Sequence, residues 1–191
     1  MKRLSKGWIL LNNRDKIFFT AMQAAVPTAR LMMNESMKNH TSFKIGGPAD
    51  CLVVPQNEME LIALLEMSKA HHVPVTVIGN GSNLLVQDKG IRGLVIKLGG
   101  GLLGLRCEGE RLIVGAGVTL AAAAFFAASQ GLSGMEFAVG IPGSIGGAVY
   151  MNAGAYDGEM SGIILEVTAV TPEGSMCSFS KEEMLFAYRH S

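Results

Sequence analysis

The stretch GIPGSIGGAVYMNAGAY, from Gly140 to Tyr156, combines dense glycine with the absence of any basic or acidic residue. Glycine has no Cβ, so it adopts positive φ easily and lets backbone N–H groups converge on a ligand. A second loop of the same character, Gly79-Asn80-Gly81-Ser82-Asn83, follows an apolar run upstream. Converging backbone donors suit phosphate groups, so the two loops together predict a site for an anion of dinucleotide size.

Both loops also have a structural interpretation, which the residues alone leave open. Glycines between 140 and 156 are equally suited to close packing of backbone against backbone. The Asn and Ser residues around Gly81 are equally suited to Asx and Ser turns that close a strand end. A pyrophosphate bound here would need backbone N–H groups, helix N-termini and hydroxyls such as that of Ser144, because no Lys or Arg occurs from Leu112 to Ser180.

The common nucleotide-binding loops are excluded by their own patterns. No G-x-x-x-x-G-K-[ST] occurs, and neither glycine loop forms a G-x-G-x-x-G that opens a long helix inside a βαβ unit. A P-loop and a Rossmann dinucleotide site are therefore not predicted.

Composition limits the other classes of function. The 191 residues, 49% of them hydrophobic, suffice for one large domain or two small ones with a buried core. The 16 basic residues balance the 16 acidic ones and form no basic block with interleaved aromatics, which excludes nucleic acid as a partner. Cys51, Cys107 and Cys177 are odd in number and far apart, so neither a disulfide framework nor a metal site is predicted. We expect a reduced, cytoplasmic protein.

A membrane-spanning segment is not predicted either. Uncharged runs at 112–135 and 137–156 are long enough to span a bilayer, but glycines and Pro142 interrupt them and would expose backbone to lipid. Basic residues before the apolar segment 17–27 loosely imitate a signal peptide, although the charged break at 14–16 argues against one. Nothing in the sequence indicates whether the protein is a monomer or an oligomer.

Hydrophobic spacing and turn residues predict an α+β fold in three parts. Residues 1–37 are expected to form a helical extension, 38–98 a first lobe with one βαβ unit, and 99–191 a second lobe of antiparallel strands and helices. The first lobe is predicted to contain strands at 51–54, 75–78, 84–86 and 93–97, and a helix capped by Asn57 with Glu60 three residues later. The second lobe is predicted to contain a hairpin of 106–108 with 111–114, a helix capped by Thr119, a hairpin of 163–170 with 176–180, and a last short helix opened by Ser180.

Four motifs add what spacing does not: NHTSFKIGGPAD, GNGSNLLV, GMEFAVGIPGSIGGAVYMNAGAY and YRHS occur in this order between Met37 and Ser191. In this combination the chain resembles the UDP-N-acetylenolpyruvylglucosamine reductase family, flavoenzymes of peptidoglycan precursor synthesis. Any one motif alone would indicate only the wider vanillyl-alcohol-oxidase-like (PCMH-type) FAD-binding fold. The resemblance implies a two-lobed FAD domain, in which NADPH reduces FAD and the reduced flavin passes a hydride to the enolpyruvyl double bond of a UDP-sugar.

The resemblance also assigns roles to residues. Tyr188 would contact the substrate, and Arg189 would bind the enolpyruvyl carboxylate and stabilise the charge that develops after hydride arrives. On bare sequence, an Arg near a chain end is usually a solvated surface group. The residues expected to hold the FAD pyrophosphate and line the isoalloxazine are Gly79, Asn80, Gly81, Ser82, Asn83, Gly140, Ile141, Pro142, Gly143, Ser144, Gly146, Gly147, Ala148, Asn152, Gly154 and Ala155.

The family also uses a serine proton donor and a glutamate, both in a later substrate-binding domain. The chain ends before either motif, and Ser191 belongs to YRHS, so we expect FAD binding with poor turnover. Ser36 stands where the family often has Pro, and Asp157 interrupts a common Gly-Gly pair and adds a carboxylate near the expected flavin pocket. Two alternatives remain: an inert flavin-binding fragment, and an oxidase of the same wider fold with covalent flavin. The oxidase is disfavoured because neither glycine loop contains His or Cys.

Overall fold

The computed structural model describes residues 13–191, and it shows the α+β fold that the sequence predicts. In chain order the helices and strands are α1 (Asn13–Ala25), β1 (Arg30–Ser36), β2 (Pro48–Val54), α2 (Glu58–Ala70), β3 (Val75–Ile78), β4 (Ile91–Lys97), β5 (Leu105–Glu108), β6 (Arg111–Val114), α3 (Leu120–Ser129), α4 (Ile145–Tyr150), β7 (Gly154–Ala155), β8 (Gly158–Glu159), β9 (Glu166–Val170) and β10 (Met176–Ser180). Within these residues, no helix combines the length and the apolar composition needed to cross a bilayer.

A four-stranded sheet in the order β1-β2-β4-β3 organises the first part of the fold. β1 is antiparallel to β2, whereas β2 and β3 both run parallel to β4. Parallel strands end at the same edge of a sheet, and Ile78, the last residue of β3, pairs there with Lys97 of β4. The Gly79–Asn83 loop therefore leaves the sheet at its carboxyl edge, where open α/β sheets place their ligands.

Both faces of this sheet are buried. On one face, α1 and α2 contribute Phe18, Met22 and Leu64, which pack with Leu94 and Ile96 of β4. A second core on the sheet consists of Met37, Ala49, Leu52, Ile78, Val86 and Val95. Burial on two sides explains why the strands contain consecutive apolar residues instead of a strict alternation.

α2 begins where its predicted cap places it, but Glu60 has a wider role than capping. Asn57 Oδ1 accepts the N–H of Glu60 at 2.8 Å. The Glu60 carboxylate accepts from Gln56 N at 2.8 Å, from Thr28 N and Oγ1 at 2.9 and 2.7 Å, and from Ala29 N at 3.0 Å. Burial alone would raise the pKa of Glu60, but these hydrogen bonds outweigh burial and hold the pKa below its ordinary value. Glu60 thereby fixes the loop between α1 and β1.

The predicted helical extension is wrong over Arg30–Ser36, which form β1 along the edge of the sheet. These residues have no clean period of their own, so pairing with β2 decides their conformation. Residues 1–12 of that prediction lie outside the described part of the chain. Residues 84–86, predicted as a short strand, form no strand, because they pair with none of the described strands. Val86 is buried in the second core and Leu85 is exposed, the alternation that suggested a strand.

A separate core forms around α3 and α4. Thr119 caps α3 as predicted, its Oγ1 accepting the N–H of Ala122 at 3.2 Å, and Leu120 and Ala123 are fully buried. The predicted hairpins are confirmed as β5 with β6 and β9 with β10, although β9 begins at Glu166, three residues later than expected.

The last predicted helix does not form. Ser180 and Glu183 make the reciprocal capping bonds, Ser180 N to Glu183 Oε2 at 2.8 Å and Glu183 N to Ser180 Oγ at 3.3 Å. The residues that follow form turns, because Leu185 adopts a left-handed conformation with φ of 48° and ends the helical path before it is established.

Candidate functional site

The two glycine loops predicted from the sequence lie against each other. A Cβ built on Gly79 would overlap the hydroxyl oxygen of Ser144, and one built on Gly143 would lie 3.7 Å from Ser82 Oγ. The carboxyl end of β3 thus approaches the beginning of α4, which requires glycine at position 79.

A cleft of about 400 Å³ opens beside this junction, within the range of about 300–1,000 Å³ that small-molecule sites occupy. None of its lining residues is charged, so a bound anion would depend on backbone and hydroxyl donors. The lining residues are Ser42, Asn80, Thr119, Ala121, Val139, Gly140, Ile141, Pro142 and Gly143. Asn80 and residues 140–143 are thereby brought together as members of the predicted FAD site.

Ser144 stands next to the cleft with a hydroxyl that nothing in the described chain satisfies. The residue is 2% exposed, and its Oγ has no hydrogen-bond partner, although it occupies the N-cap position of α4. A buried polar atom without a partner costs about 1–3 kcal/mol. A ligand atom that reaches this hydroxyl would remove that cost, so Ser144 favours a polar ligand at the junction of the two loops.

The N-terminus of α3 borders the same cleft through Thr119. The backbone connects the two sides, since Leu120 N donates to Gly143 O at 3.0 Å and Ile145 N donates to Val118 O at 2.8 Å. The partial positive charge at the start of this ten-residue helix favours an anion in the cleft.

The second half of the glycine stretch has a different environment. Gly146 N donates to Ala116 O at 2.9 Å, and a Cβ built on Gly146 would lie 2.9 Å from Ala116 Cβ. Gly154 pairs with Glu159 in the short β7–β8 ladder. Ala148 is 4% exposed and belongs to the core around α3 and α4. Close backbone packing, the structural interpretation of the sequence, accounts for these positions.

Four more of the predicted FAD residues, Gly147, Ala155, Gly81 and Asn83, do not line the cleft. Gly147 is close to the cleft, because a Cβ added to it would lie 3.4 Å from Ser144 Oγ, and Ala155 follows Gly154 in β7. Gly81 packs against the carbonyl of His40 with φ of 67°, and Asn83 is exposed.

A basic side chain that the sequence did not point to lies beside the Gly79–Asn83 loop. Lys97 Nζ is 3.3 Å from His40 Nδ1, and His40 Nε2 is 3.0 Å from Glu35 Oε1. An ammonium group only donates, so Nδ1 accepts and Nε2–H donates to Glu35. Burial, helped by the neighbouring charge of Lys44, lowers the pKa of Lys97. The side-chain hydrogen bonds that link Glu35, His40 and Lys97 hold residues 40–42 at the loop. There Ser42 N donates to Gly81 O at 3.1 Å.

Tyr188 and Arg189 occupy the centre of a tight turn formed by residues 187–190, hereafter the YR turn. Both side chains are exposed, and the guanidinium carbon of Arg189 lies 5.3 Å from the centroid of the Tyr188 ring. Asn152, predicted to bind FAD, contacts this turn through its side chain, 3.2 Å from Ala187 O. Asn152 and the YR turn lie at the end of α4 opposite to Ser144.

Sequence reasoning missed four of the lining residues of the cleft: Ser42, Thr119, Ala121 and Val139. Ser42 falls inside the motif NHTSFKIGGPAD, which supported the family resemblance without receiving a role. Thr119 was interpreted only as a helix cap, although a capped helix N-terminus is itself a signal for anion binding.

No group of three or more His, Cys, Asp or Glu residues among 13–191 is arranged to hold a metal ion. The three cysteines are unpaired, and Cys51 is buried in β2, where burial and the nearby Asp50 raise the pKa of its thiol to about 12. A thiol with that pKa stays protonated and packs as a small apolar side chain.

Known proteins resemble the chain in sequence and in structure. UDP-N-acetylenolpyruvoylglucosamine reductase of Syntrophomonas wolfei is 49% identical over 166 residues, which cover 87% of this chain and 56% of that protein. The crystal structure of the UDP-N-acetylenolpyruvylglucosamine reductase of Thermus caldophilus superposes with a TM-score of 0.70 at 37% identity, covering 85% of this chain and 56% of that one. The chain therefore spans little more than half the length of these relatives.

A more distant structure shows how widely the fold occurs. The glucose dehydrogenase Phl p 4.0202 has a TM-score of 0.65 at 13% identity, over 85% of this chain and 38% of that one. Together with the Thermus caldophilus structure it confirms the predicted PCMH-type fold. The sequence profile of the FAD binding domain matches residues 49–180, which include both glycine loops and all of the cleft except Ser42. Because this match covers more than half of the chain, the protein belongs to the FAD binding domain family.

Proposed function

We propose that this chain is the FAD-binding portion of an NADPH-dependent UDP-N-acetylenolpyruvoylglucosamine reductase. The observation that carries the proposal is the uncharged cleft at the meeting point of the two glycine loops, with the unsatisfied Ser144 hydroxyl beside it. The reductase of Syntrophomonas wolfei, which is 49% identical to this chain, supports this reaction as the proposed one.

The residues of the cleft fit FAD. The Gly140 N–H, the Asn80 amide and the hydroxyls of Ser82 and Ser144 would hold the pyrophosphate. Pro142 has no N–H, and the N–H groups of Ile141 and Gly143 already donate to Ala138 O and Ile141 O. Thr119 and the α3 N-terminus would add a positive dipole end from the other side. These are fixed dipoles in a partly buried site, so they stabilise a double negative charge without a cation at the cleft lining.

FAD, when bound, supplies the two-electron chemistry that transfers a hydride from NADPH to the enolpyruvyl double bond. In this reaction, the chain orients the substrate at the YR turn. The planar fork of Arg189 binds the enolpyruvyl carboxylate and stabilises the negative charge that grows on it during hydride addition. The exposed Tyr188 offers a ring and a hydroxyl beside that carboxylate.

Ser191 is not assigned as the proton donor. Its Oγ donates to Tyr150 O at 3.2 Å, so this hydroxyl is engaged with the backbone at the end of α4. The family resemblance assigns the proton that completes the reduction to a serine of the substrate-binding domain.

The proposal extends to organisation and setting. We assign residues 38–98 and 99–191 to two lobes, supported by separate cores, although α1 and β1 pack with the first lobe. We also assign a reduced, cytoplasmic setting, supported by three unpaired cysteines, and a UDP-sugar enolpyruvate as substrate.

Flavin retention tests the proposal directly. The purified chain is incubated with FAD, freed of unbound cofactor, and its visible spectrum is recorded before and after anaerobic addition of NADPH. We expect about one FAD per chain and loss of the oxidised flavin band with NADPH. A folded chain that retains no flavin contradicts the proposal. Retained flavin that NADPH does not reduce supports the inert fragment, and acid-stable flavin supports the oxidase.

A matched pair of variants tests the site itself. Ser144 and Ser68 are both buried with unsatisfied hydroxyls, but Ser68 lies in α2, away from the cleft. We expect Ser144→Ala to weaken FAD binding about tenfold, or about 1.4 kcal/mol, while Ser68→Ala leaves the affinity unchanged. Neither variant should lower the free energy of unfolding, because each removes an unsatisfied polar atom. Equal affinities of the two variants would remove Ser144 from the site.

A further inference from the structure

Two backbone hydrogen bonds close the YR turn, residues 187–190. Ala187 N donates to His190 O at 3.0 Å, and His190 N donates to Ala187 O at 3.2 Å. Between them, Arg189 adopts φ of 57°, a left-handed conformation that residues other than glycine rarely adopt. The turn presents its two central side chains to solvent only as long as this conformation is held.

Asn152 holds one end of the turn with its buried amide. Its Nδ2 donates to Ala187 O at 3.2 Å, and its Oδ1 accepts from Ser161 N at 2.9 Å. The Ser161 N–H requires an acceptor, which fixes the amide orientation and leaves the NH₂ group facing Ala187 O and the Glu159 carboxylate. Hydrogen bonds from the Ser161 side chain and from this amide lower the pKa of Glu159. Asn152 is 5% exposed, and it also lies in the left-handed region with φ of 40°, which Asn tolerates better than most residues. An amide is needed here because the position must accept on one side and donate on the other.

The second end of the turn is held from the same segment. Ser191 Oγ donates to Tyr150 O at 3.2 Å, and Tyr150 is the last residue of α4. α4 begins directly after Ser144, beside the cleft, and six helical residues span about 9 Å. One short helix therefore connects the proposed pyrophosphate site at its start with the YR turn at its end.

We propose that Asn152 is a positioning residue for Arg189. Through Ala187 O it holds the YR turn in the conformation that presents the guanidinium to the substrate carboxylate. This inference rests on the proposed function, in which Arg189 binds that carboxylate. It also changes the assignment of Asn152 from a contact with FAD to a support for the substrate side of the site.

Asn152→Asp tests the inference, since it keeps the size and the acceptor but removes the donor. The FAD-loaded chain is titrated with UDP-N-acetylglucosamine enolpyruvate, and binding is followed by the change in flavin absorption at pH 8 and pH 5. We expect the variant to bind about tenfold more weakly at pH 8. At pH 5 binding should recover, because burial and the neighbouring Glu159 carboxylate both raise the pKa of the new carboxyl above its usual value of about 4. The protonated carboxyl then donates its O–H to Ala187 O. Asn34→Asp, at an exposed position with φ of 51° in β1, is the matched control and should bind like the wild type.

Arg189→Lys separates this inference from the proposed function. If Arg189→Lys loses binding while Asn152→Asp matches the wild type at both pH values, the positioning role is overturned and the proposed function stands. If Arg189→Lys binds like the wild type, the proposed role of Arg189 fails. Weak binding by Asn152→Asp without recovery at pH 5 would indicate general damage and also overturns the positioning role.

A second measurement needs no substrate. The His190 amide is protected from hydrogen exchange by its bond to Ala187 O, so its protection factor reports the closed turn. We expect the protection factor in Asn152→Asp to be about tenfold lower at pH 8 and restored at pH 5, with unchanged flavin content. The thermal unfolding midpoint should likewise fall at pH 8 and recover at pH 5, because a carboxyl whose pKa is raised by burial costs stability where it is ionised. Ser191→Ala, which releases the other end, should lower the protection factor about threefold. An unchanged His190 protection factor in Asn152→Asp would overturn the inference whatever the substrate does.

Discussion

The two halves of the glycine-rich stretch look alike in sequence and differ in what surrounds them. Residues 140–143 line an uncharged cleft and end at the unsatisfied hydroxyl of Ser144. Gly146 and Gly154 instead lie against the backbone of other segments, and Ala148 is part of the core. Glycine density therefore does not distinguish a ligand site from tight packing. A Cβ at Gly140 would meet no atom within 4 Å, whereas a Cβ at Gly146 or Gly154 would lie within 3 Å of another residue.

The largest effect is expected where the two glycine loops touch. Gly79→Ala places a Cβ on the Ser144 hydroxyl and should lower the free energy of unfolding by about 3 kcal/mol. Adding Ser144→Ala removes the overlapping oxygen and leaves only Ser144 Cβ, 3.2 Å away, so the double variant should recover more than half of that loss. Urea unfolding of the three variants measures both quantities. Additive losses would show that the two residues do not meet as described.

A loop held by charge provides the contrast to loops shaped by glycine. In Glu60→Gln an NH₂ group replaces one acceptor oxygen and must face a donor, either Gln56 N–H or the Thr28 and Ala29 N–H groups. We expect the free energy of unfolding at pH 7 to fall by about 2 kcal/mol. Glu58→Gln, exposed in the first turn of α2, is the control and should change it by less than about 0.5 kcal/mol.

The same carboxylate predicts an acid-dependent stability. The folded-state pKa of Glu60 lies below the ordinary value of 4.5, so its stabilisation is complete above pH 4.5 and is lost as the pH falls through the folded-state value. Chemical unfolding between pH 7 and pH 3 should show a steeper loss for the wild type than for Glu60→Gln. Parallel curves would mean that Glu60 contributes nothing through its charge.

The two halves of the glycine stretch can be compared directly by adding one methyl group to each. Gly146→Ala meets Ala116 Cβ at 2.9 Å and should lower the free energy of unfolding by about 1–2 kcal/mol. A Cβ on Gly140 meets no atom within 4 Å, so Gly140→Ala should leave stability within about 0.5 kcal/mol of the wild type. Because Gly140 lines the cleft, we expect this variant to weaken FAD binding. Thermal unfolding and FAD titration of both variants measure the two effects. A loss of stability in Gly140→Ala with weaker FAD binding in Gly146→Ala would contradict the comparison.

The smallest effect is expected at Asp157, in the hairpin that joins β7 to β8. Tyr156 and Asp157 have φ of 50° and 64°, the pattern of a two-residue turn that favours Gly at its second position. Asp157→Gly should therefore raise the free energy of unfolding by about 0.5–1 kcal/mol. Asp157→Asn keeps a side chain at that φ and should raise it less. A loss of stability in Asp157→Gly would point to a contact of the carboxylate that offsets its backbone strain.

Elements with local signals were predictable from the sequence. Asn57 and Thr119 cap their helices as expected, and β3 occupies residues 75–78 as predicted. β1 was not predictable, because its residues have no period and become a strand only by pairing with β2. After Ser180 the local signal was present, and the capping bonds do form, yet the left-handed Leu185 ends the segment before a helix is established.

The sequence by itself determined the α+β class, both glycine loops and the family motifs, because glycine positions, caps and apolar spacing act within a few residues of the chain. The tertiary structure alone decided which glycines face a cleft, since that depends on residues distant in sequence, such as Ser144 above Gly79. It also placed Ser42 at the cleft and Asn152 on the YR turn, 35 residues along the chain from Ala187. A hydrogen bond between distant residues leaves no periodic pattern in the sequence, so only the folded chain shows it.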